Sequence, residues 1–156
     1  MKIVMNASPL IFLTKLDLID KLLPFFDEFV ISQGVKDEIG KQDDLVNQWF
    51  TNNTRCIREI KIIPFYINAW DLGKGETEVI SFCKMNIDYT SALDDKAARN
   101  CAYSLNLKVI GTIGLVLWAK NHNILDNAKD YLVRLKELGY RIDNNIFNHA
   151  IKLANE

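Results

Sequence analysis

The chain has 156 residues, 49% hydrophobic and 25% charged, which are the proportions of an ordinary soluble protein and exclude a disordered or fibrous chain. Its 19 basic and 20 acidic residues give a formal net charge of −1, which argues against a domain that holds nucleic acid by charge alone. The start lacks the apolar stretch of a signal peptide, and no segment approaches the length of a membrane span, so we expect a cytoplasmic protein.

Strands and helices alternate along the chain. Apolar, β-branched runs predict five strands, at Ile3–Met5, Phe29–Ile31, Ile60–Ile63, Tyr89–Leu93 and Lys108–Ile110. Helical periodicity lies between them, with one apolar stripe at Val79, Ile80 and Cys83 and another at Ala97, Ala98, Cys101, Ala102 and Leu105. Residues 41–55 predict a helix followed by a polar loop. No linker divides the chain, so we expect one α/β domain over residues 1–156, with a mostly parallel sheet covered on both faces.

The C-terminal third predicts helices. One begins after Gly111 and runs through Leu117, and a second is followed by Gly139, which is expected to cap its C-terminal end. The second helix is expected to bury Leu132, Leu135 and Leu138, and the last helix Ile146, Phe147, Ala150, Ile151 and Ala154. The three cysteines are an odd number without metal-ligand spacing, and we expect reduced thiols.

Small polar side chains follow three of the predicted strands. Asn6 follows the first strand, Asp94 and Asp95 the fourth, and Thr112 the fifth. In a parallel α/β sheet, ligands bind beyond the carboxyl ends of the strands, near the point where the strand order reverses. We therefore expect these four residues to line one site.

Two further acids lie on helices, at the edge of an apolar face. Because successive helical residues rotate by about 100°, Glu38 borders the apolar face of its helix whereas Asp37 points to solvent. By the same construction Glu76 shares the apolar face of its helix and Glu78 lies opposite. A carboxylate at such an edge is costly without a partner, which gives Glu38 and Glu76 a reason to lie near a cation.

Carboxylates gathered in one cleft repel one another, and a hard divalent cation relieves that repulsion. Magnesium prefers oxygen ligands and keeps several of its waters. Such an ion can orient a water, lower its pKa and stabilise the charge on a scissile phosphate. His122 and His149 are isolated, and the chain offers no cysteine nucleophile or serine triad. Metal-assisted phosphodiester hydrolysis is therefore the simplest chemistry that these residues indicate.

The acids also have structural explanations. An aspartate directly before a helix is often an N-cap, and one of Asp94 and Asp95 can cap while the other binds a metal. The helix dipole favours Glu76 in a first turn, and Glu38 alone is most often a solvated surface acid.

The neighbouring polar residues are open to the same two interpretations. Ser8 before Pro9 matches an N-cap with proline at the first helical position. Thr112 is most simply a cap, and its hydroxyl can also bond either a metal-bound water or a neighbouring aspartate. Lys96 and Arg99 follow the acidic pair and are possible RNA contacts, although two basic residues on a helix are usually just solvated.

Five short motifs occur in one order along the chain: Asn6-Ala-Ser-Pro-Leu-Ile11, Val35-Lys-Asp-Glu38, Leu72-Gly-Lys-Gly-Glu76, Leu93-Asp-Asp-Lys-Ala-Ala-Arg99 and Gly111-Thr-Ile-Gly-Leu115. Together they resemble PIN-domain proteins, and specifically a prokaryotic branch of VapC-like toxins. The similarity runs from the first strand to beyond Leu115, and the tail Leu135-Lys-Glu-Leu-Gly-Tyr-Arg-Ile142 is similar to that branch as well.

The resemblance implies a three-layer α/β/α sandwich whose central sheet of about five strands carries an acidic metal site. It implies an RNA-cleaving enzyme that uses Mg²⁺ or Mn²⁺, a small antitoxin partner and a homodimer, as in the toxin of a type II toxin–antitoxin pair. The catalytic residues carried over by position are Asn6, Glu38, Glu76, Asp94 and Asp95, with Asn6, Glu76, Asp94 and Asp95 as metal ligands and Ser8 and Thr112 in support. The aliphatic helices between Leu10 and Leu23 are expected to supply an apolar dimer surface.

One residue departs from the family pattern. Most PIN nucleases have an aspartate where this chain has Asn6, which can coordinate a cation through its carbonyl oxygen but brings no negative charge. Metal affinity and activity are therefore expected to be lower than with aspartate. The alternative is a catalytically weak PIN-like module that binds RNA or a partner in the same groove without cutting. A receiver-type phosphoacceptor domain ranks below both. It requires an acidic pair after the first strand and a lysine after the last, where this chain has Asn6 and Thr112.

Overall fold

The computed structural model describes residues 1–40 and 43–156, and its centre is a five-stranded sheet. The strands are β1 (Lys2–Met5), β2 (Glu28–Ser32), β3 (Ile57–Arg58), β4 (Tyr89–Ala92) and β5 (Lys108–Ile110). Their order is β3-β2-β1-β4-β5, and every pairing is parallel. The chain first builds the sheet outward in one direction and then returns to add β4 on the other side of β1. The strand order thus reverses between β1 and β4.

Helices flank the sheet and complete the predicted α/β fold class. They are α1 (Ala7–Lys15), α2 (Ile19–Leu22), α3 (Gln33–Ile39), α4 (Asp44–Asn52), α5 (Phe65–Asn68), α6 (Lys74–Met85), α7 (Lys96–Ser104), α8 (Thr112–Asn121), α9 (Ala128–Glu137) and α10 (Asn144–Leu153). Helix α1 packs against α4 and α8, and α6 packs against α3 and α7. Within the described ranges, no helix is long and apolar enough to cross a membrane.

The central strand lies at the middle of the core. Ile3, Val4 and Met5 of β1 are fully buried, as expected for a strand that helices cover on both faces. The aliphatic residues that follow are buried too, among them Leu10, Leu13, Leu16, Leu18, Ile19 and Leu22. These six side chains therefore cannot supply the predicted apolar dimer surface, whereas Ile11, Phe12 and Leu23 of the same segment are only partly buried.

Four of the five predicted strands are present, and the third was misplaced. Strand β3 is only Ile57–Arg58, and it pairs with Ile31 and Ser32 at the end of β2. Residues 60–63 lie beyond the point where β2 gives way to α3, so they have no neighbouring strand to pair with. The predicted strand Ile60–Ile63 is wrong for that reason, and Ile62 is largely exposed.

The positions of the predicted helices are largely confirmed, but some residues predicted to be buried on their apolar faces are exposed. Ala98, Cys101 and Ala102 are buried, but Ala97 is exposed. Leu138 is partly exposed because it is the C-cap of α9, where the helical face ends, and Ile146 lies on the outer side of α10. The predicted helix and loop at 41–55 corresponds to α4 and a 3₁₀ turn at Thr54–Cys56, while positions 41 and 42 of that prediction lie outside the described residues.

Two further predictions, for Gly139 and for the cysteines, are confirmed. Gly139 has a φ of +88°, and the amides of Gly139 and Tyr140 donate to the carbonyls of Lys136 and Leu135. This pair of bonds is a Schellman motif, for which the left-handed conformation of glycine is suited. The cysteines Cys56, Cys83 and Cys101 are free thiols, and the last two are fully buried.

Candidate active site

The carboxyl ends of β1 and β4 meet where the strand order reverses. The amide of Asn6, directly after β1, donates to the carbonyl of Ala92 at the end of β4 at 3.1 Å. The loop that follows β4 carries Asp94 and Asp95, and it leads into α7. This arrangement brings the polar residues after the two strands to one edge of the sheet, where ligands of parallel α/β proteins bind.

Asn6 is the N-cap residue of α1, yet its side chain does not cap the helix. The side chain is only 5% exposed, and its Oδ1 atom has no hydrogen-bond partner in the part of the chain that the structure describes. A buried carbonyl oxygen without a donor costs about 1–3 kcal/mol. The fold therefore holds a strong oxygen ligand in place without a protein partner.

Gly75 shows what surrounds this oxygen. A Cβ atom built on Gly75 would lie 3.1 Å from Asn6 Oδ1, 2.8 Å from Glu38 Oε2 and 2.9 Å from Val35 Cγ2. The second residue of α6 thus approaches the end of β1 and the helix α3 as closely as a glycine allows. This close approach brings the amide oxygen of Asn6 and the carboxylate of Glu38 to the same glycine.

Glu76, the next residue, is half-buried in the first turn of α6. Burial raises the pKa of its carboxyl group, and the negative charges of Asp95 and Glu38 raise it further. A hydrogen bond of 3.2 Å from the Gly73 amide acts in the opposite direction. The charges of Asp95 and Glu38 thus act on the Glu76 carboxyl group in addition to the effect of its burial. We call the group Asn6, Glu38, Glu76 and Asp95 the acidic cleft.

Asp95 and Asp94 have different surroundings. Asp95 is exposed and is the N-cap of α7, where its Oδ1 accepts a hydrogen bond from the Ala98 amide at 2.9 Å. That bond engages one carboxylate oxygen of Asp95. The prediction that one aspartate of the pair caps the helix is thus confirmed, and the capping residue is Asp95, whose charge also raises the pKa of Glu76.

Asp94 accepts four hydrogen bonds. Its Oδ1 accepts from the Thr112 amide and the Tyr140 hydroxyl, both at 2.8 Å. Its Oδ2 accepts from the hydroxyls of Ser8 at 2.7 Å and Thr112 at 2.6 Å. Burial and then the charge of Asp94 raise the pKa of Tyr140, which keeps its hydroxyl protonated as a donor. Asp94 therefore ties α1, the start of α8 and the turn after α9 to the β4–α7 loop.

The predicted caps at Ser8 and Thr112 are wrong. Helix α1 begins at Ala7 with Asn6 as N-cap, so Ser8 lies inside the first turn, and Gly111 rather than Thr112 is the N-cap of α8. Both hydroxyls instead donate to Asp94, which lies 86 residues from Ser8 in the chain. The predicted bond from Thr112 to an aspartate is confirmed.

Glu78 was predicted to lie opposite the apolar face of α6, and it is buried. Its carboxylate accepts the Gly34 amide at 2.8 Å, and a Cβ on Gly34 would lie 2.6 Å from Glu78 Oε2. The second face of α6 is not solvated because the start of α3 covers it. Asp37, by contrast, is exposed as predicted.

Three contacts of this region were not predicted from the sequence, and they are made by Tyr140, Gly75 and Glu78. The signal for Tyr140 was its place directly after the predicted C-cap Gly139, since a residue at that point of a Schellman motif turns back toward the fold. The signal for Gly75 was a glycine inside a helical first turn, which often marks a close approach of two backbones. The pairing of Glu78 with Gly34 had no local signal, because it depends on how α3 and α6 pack.

The donor set suits a hard cation held partly through water. Among residues 1–40 and 43–156, no three His, Cys, Asp or Glu side chains converge as ligands of one ion. Magnesium usually binds one or two carboxylates directly and retains several waters, so it does not require such convergence. The orphaned oxygen of Asn6 and the mutual repulsion at Glu76 are the two observations that fit a divalent ion there.

The fold and the site together define a small α/β domain with an acidic cleft at the carboxyl edge of a parallel sheet. A family model described as a PIN domain matches residues 2–156, and the chain belongs to the PIN-domain family. Proteins of this family are generally nucleases and generally use divalent metal ions. No curated protein and no solved structure was found to match the chain.

Proposed function

We propose that this PIN domain is an Mg²⁺- or Mn²⁺-dependent endoribonuclease that hydrolyses RNA phosphodiesters at the acidic cleft. The observation that carries the proposal is Asn6 Oδ1, a buried oxygen that has no hydrogen-bond partner among the described residues and approaches Gly75 from the same side as the Glu38 carboxylate. The charges of Glu38 and Asp95 also raise the pKa of Glu76, the residue after Gly75. A divalent cation would supply the missing partner of the oxygen and relieve the repulsion among the carboxylates.

Each residue of the cleft has a distinct part in this proposal. Asn6, Glu38, Glu76 and Asp95 would hold the ion, which when bound lowers the pKa of water and stabilises charge on the scissile phosphate. Asp94 was expected among the ligands, but four hydrogen bonds engage its oxygens. We therefore give Asp94 the role of a positioning residue that fixes the loop carrying Asp95, with Ser8, Thr112 and Tyr140 as its supports.

A cleavage assay tests the nuclease proposal. Single-stranded RNA is incubated with Mn²⁺ or Mg²⁺ and the wild type, Glu76→Gln, Asn6→Asp or the control Glu137→Gln, whose residue is an exposed acid at the end of α9. We expect cleavage by the wild type and the control, none with EDTA, strong loss in Glu76→Gln and faster cleavage in Asn6→Asp. RNA that stays intact with every variant and both metals contradicts the proposal.

The alternative is a catalytically weak module that binds RNA or a partner without cutting. It is favoured by the neutral Asn6 and by the absence, in the described residues, of three converging acidic or histidine ligands. Under this alternative the wild type binds RNA but leaves it intact, and Asn6→Asp alone gains metal-dependent cleavage. The same assay therefore separates the two functions.

We further propose that the chain is the toxin of a type II toxin–antitoxin pair, with a small antitoxin protein as partner and a homodimer as its assembly. The motifs that resemble VapC-like toxins support this role. Induction of the wild type in bacteria should arrest growth, and Glu76→Gln should not. Co-expression of a small neighbouring open reading frame should restore growth, and light scattering should give twice the mass of one chain. Growth unaffected by the wild type would contradict the toxin role.

A further inference from the structure

A small cleft opens along the exposed side of α7. Its lining residues are Asp94, Lys96, Arg99, Asn100 and Tyr103, and its volume is about 250 Å³. The last four follow the i, i+3, i+4, i+7 spacing that places residues on one face of a helix. Because the N-cap of α7 is Asp95, the first turn of this helix adjoins the acidic cleft. We call the small cleft lined by these five residues the α7 cleft.

Arg99 and Tyr103 form a fixed pair within the α7 cleft. The Nη2 atom of Arg99 donates to the Tyr103 hydroxyl at 3.2 Å, and the guanidinium carbon lies 6.0 Å from the centre of the ring. On its other side, Arg99 Nη1 lies 3.4 Å from the position that a Cβ on Gly111 would take. The guanidinium is thus held between the β5–α8 turn and the tyrosine, whose residue is still 50% exposed.

The chemistry of the lining matches one class of ligand. Lys96 and Arg99 supply positive charge for a phosphate, and the exposed ring of Tyr103 supplies a surface on which a base can stack. The side-chain amide of Asn100 offers both a donor and an acceptor, which can pair with the edge of a base. A nucleotide presents a phosphate, a flat ring and a hydrogen-bonding edge in one unit.

The size of the cleft limits how much of a nucleic acid it can hold. Its volume is below the roughly 300–1,000 Å³ of ordinary small-molecule sites, which leaves room for about one nucleotide. A base stacked on a protein ring must also be free of its own stack, and sequence-specific RNA recognition mostly uses such unpaired bases. The cleft therefore suits a single strand rather than a duplex.

We propose that the α7 cleft binds one nucleotide of a single-stranded RNA substrate, with its base stacked on Tyr103 and its phosphate near Lys96 and Arg99. This inference rests on the proposed function, because the cleft adjoins Asp95 and would seat a nucleotide next to the scissile phosphate. Through Asn100 the same cleft selects which base is accepted at that position.

A binding assay without divalent metal separates this site from catalysis. Fluorescence anisotropy of a labelled single-stranded RNA in EDTA is measured for the wild type, Tyr103→Leu and Tyr103→Phe. We expect Tyr103→Leu to weaken binding about tenfold, as removal of a base-stacking ring does, and Tyr103→Phe to bind like the wild type. The matched control is Tyr66→Leu, which removes a tyrosine on α5 that is 39% exposed and does not line the cleft.

Two further measurements address the phosphate and the base. Lys96→Gln should reduce the slope of log affinity against log salt concentration by about 0.7, the value for one phosphate contact with a single strand. In cleavage of a random-sequence RNA with Mn²⁺, Asn100→Ala should flatten the base preference at one position beside the cut. It should leave the preference at other positions unchanged.

The outcomes distinguish this proposal from the nuclease proposal. If Tyr103→Leu binds RNA as tightly as the wild type, the proposal that the α7 cleft binds a nucleotide is overturned, even if cleavage is observed. Equal losses in Tyr103→Phe and Tyr103→Leu also overturn it, because the hydroxyl bond to Arg99 rather than stacking would then account for the effect. If the proteins show the expected binding pattern but the wild type never cuts RNA, nucleotide binding at the α7 cleft is supported and the nuclease proposal is refuted.

Discussion

Asp94→Ala removes the acceptor of four hydrogen bonds that join three other segments to the loop after β4. Thr112 is fully buried, so both its amide and its hydroxyl lose their partner without gaining water. A buried donor left without a partner costs about 1–3 kcal/mol. With two such donors, and Tyr140 and Ser8 only partly buried, we expect a loss of about 3–5 kcal/mol.

Asp94→Asn is the matched comparison. The amide oxygen can keep the bonds from the Thr112 amide and Tyr140, and the amide nitrogen can donate to the hydroxyls of Ser8 and Thr112, which rotate to accept. All four contacts survive but lose the charge that makes such bonds about twice as strong. The expected cost is about 1–2 kcal/mol, and Tyr140→Phe, which removes a single bond, should cost a similar amount.

Urea unfolding at neutral pH, followed by circular dichroism, measures these free energies of unfolding. In a thermal melt of a chain of this length, each kcal/mol corresponds to about 2–4 °C of Tm. The Tm values of the alanine and asparagine variants should therefore differ by several degrees. The double variant Asp94→Asn with Tyr140→Phe should cost less than the two single changes added together, because they share one bond. An alanine variant as stable as the asparagine variant would show that the four hydrogen bonds of Asp94 do not stabilise the fold.

Three other sites give predictions from close contacts and one pKa. Gly75→Ala places a Cβ 2.9 Å from Cγ2 of the fully buried Val35 and 2.8 Å from Glu38 Oε2. It should therefore cost about 1–3 kcal/mol in urea unfolding and abolish the rise in Tm on adding Mn²⁺, and an unchanged rise would contradict the cation site. Gly34→Ala should cost clearly less in a Glu78→Ala background than in the wild type, because its Cβ meets Glu78 at 2.6 Å, and equal costs would contradict that packing. Glu156→Ala should lower stability by about 1 kcal/mol at pH 7, because the Glu156 carboxylate accepts the first amides of α9 at 2.8 Å.

The pH dependence of the Glu156 effect follows from its pKa. Burial acts to raise that pKa, but the amides of Ala128 and Lys129 and the charge of Lys120 outweigh it, and the folded-state pKa is lowered. The unfolded chain then binds the proton more tightly, so the contribution is present above the ordinary glutamate pKa of 4.5 and is lost as the pH falls through the lowered value. A stability difference between wild type and Glu156→Ala that persists at the lowest pH would contradict this origin.

The parts of the fold that the sequence predicts are those with a strong local pattern. Strand β1 is apolar at successive positions, from Ile3 to Met5, because helices cover both its faces. Glu76 was placed correctly at the inner edge of α6 because the periodicity of a helix fixes its angle relative to Val79 and Ile80. Gly139 was recognised because few residues other than glycine adopt its left-handed conformation.

The errors come from contacts between segments far apart in the chain. The run Ile60–Ile63 has the composition of a strand, but β2 ends too early to pair with it. Glu78 carries a charge that predicts exposure, and only the packing of α3 on α6 provides the Gly34 amide that makes its burial possible. The division of roles between Asp94 and Asp95 likewise depends on Ser8, Thr112 and Tyr140, which lie 86, 18 and 46 residues away from Asp94.

The proposed function depends on a divalent cation reaching the buried oxygen of Asn6. Crystals soaked in Mn²⁺ and measured by anomalous scattering at the manganese edge test this directly. We expect an anomalous peak about 2.1 Å from Asn6 Oδ1, the distance typical of small hard cations, and its loss in crystals of Glu76→Gln. A wild-type map at saturating Mn²⁺ with no peak in the acidic cleft would contradict a metal-dependent function of this site.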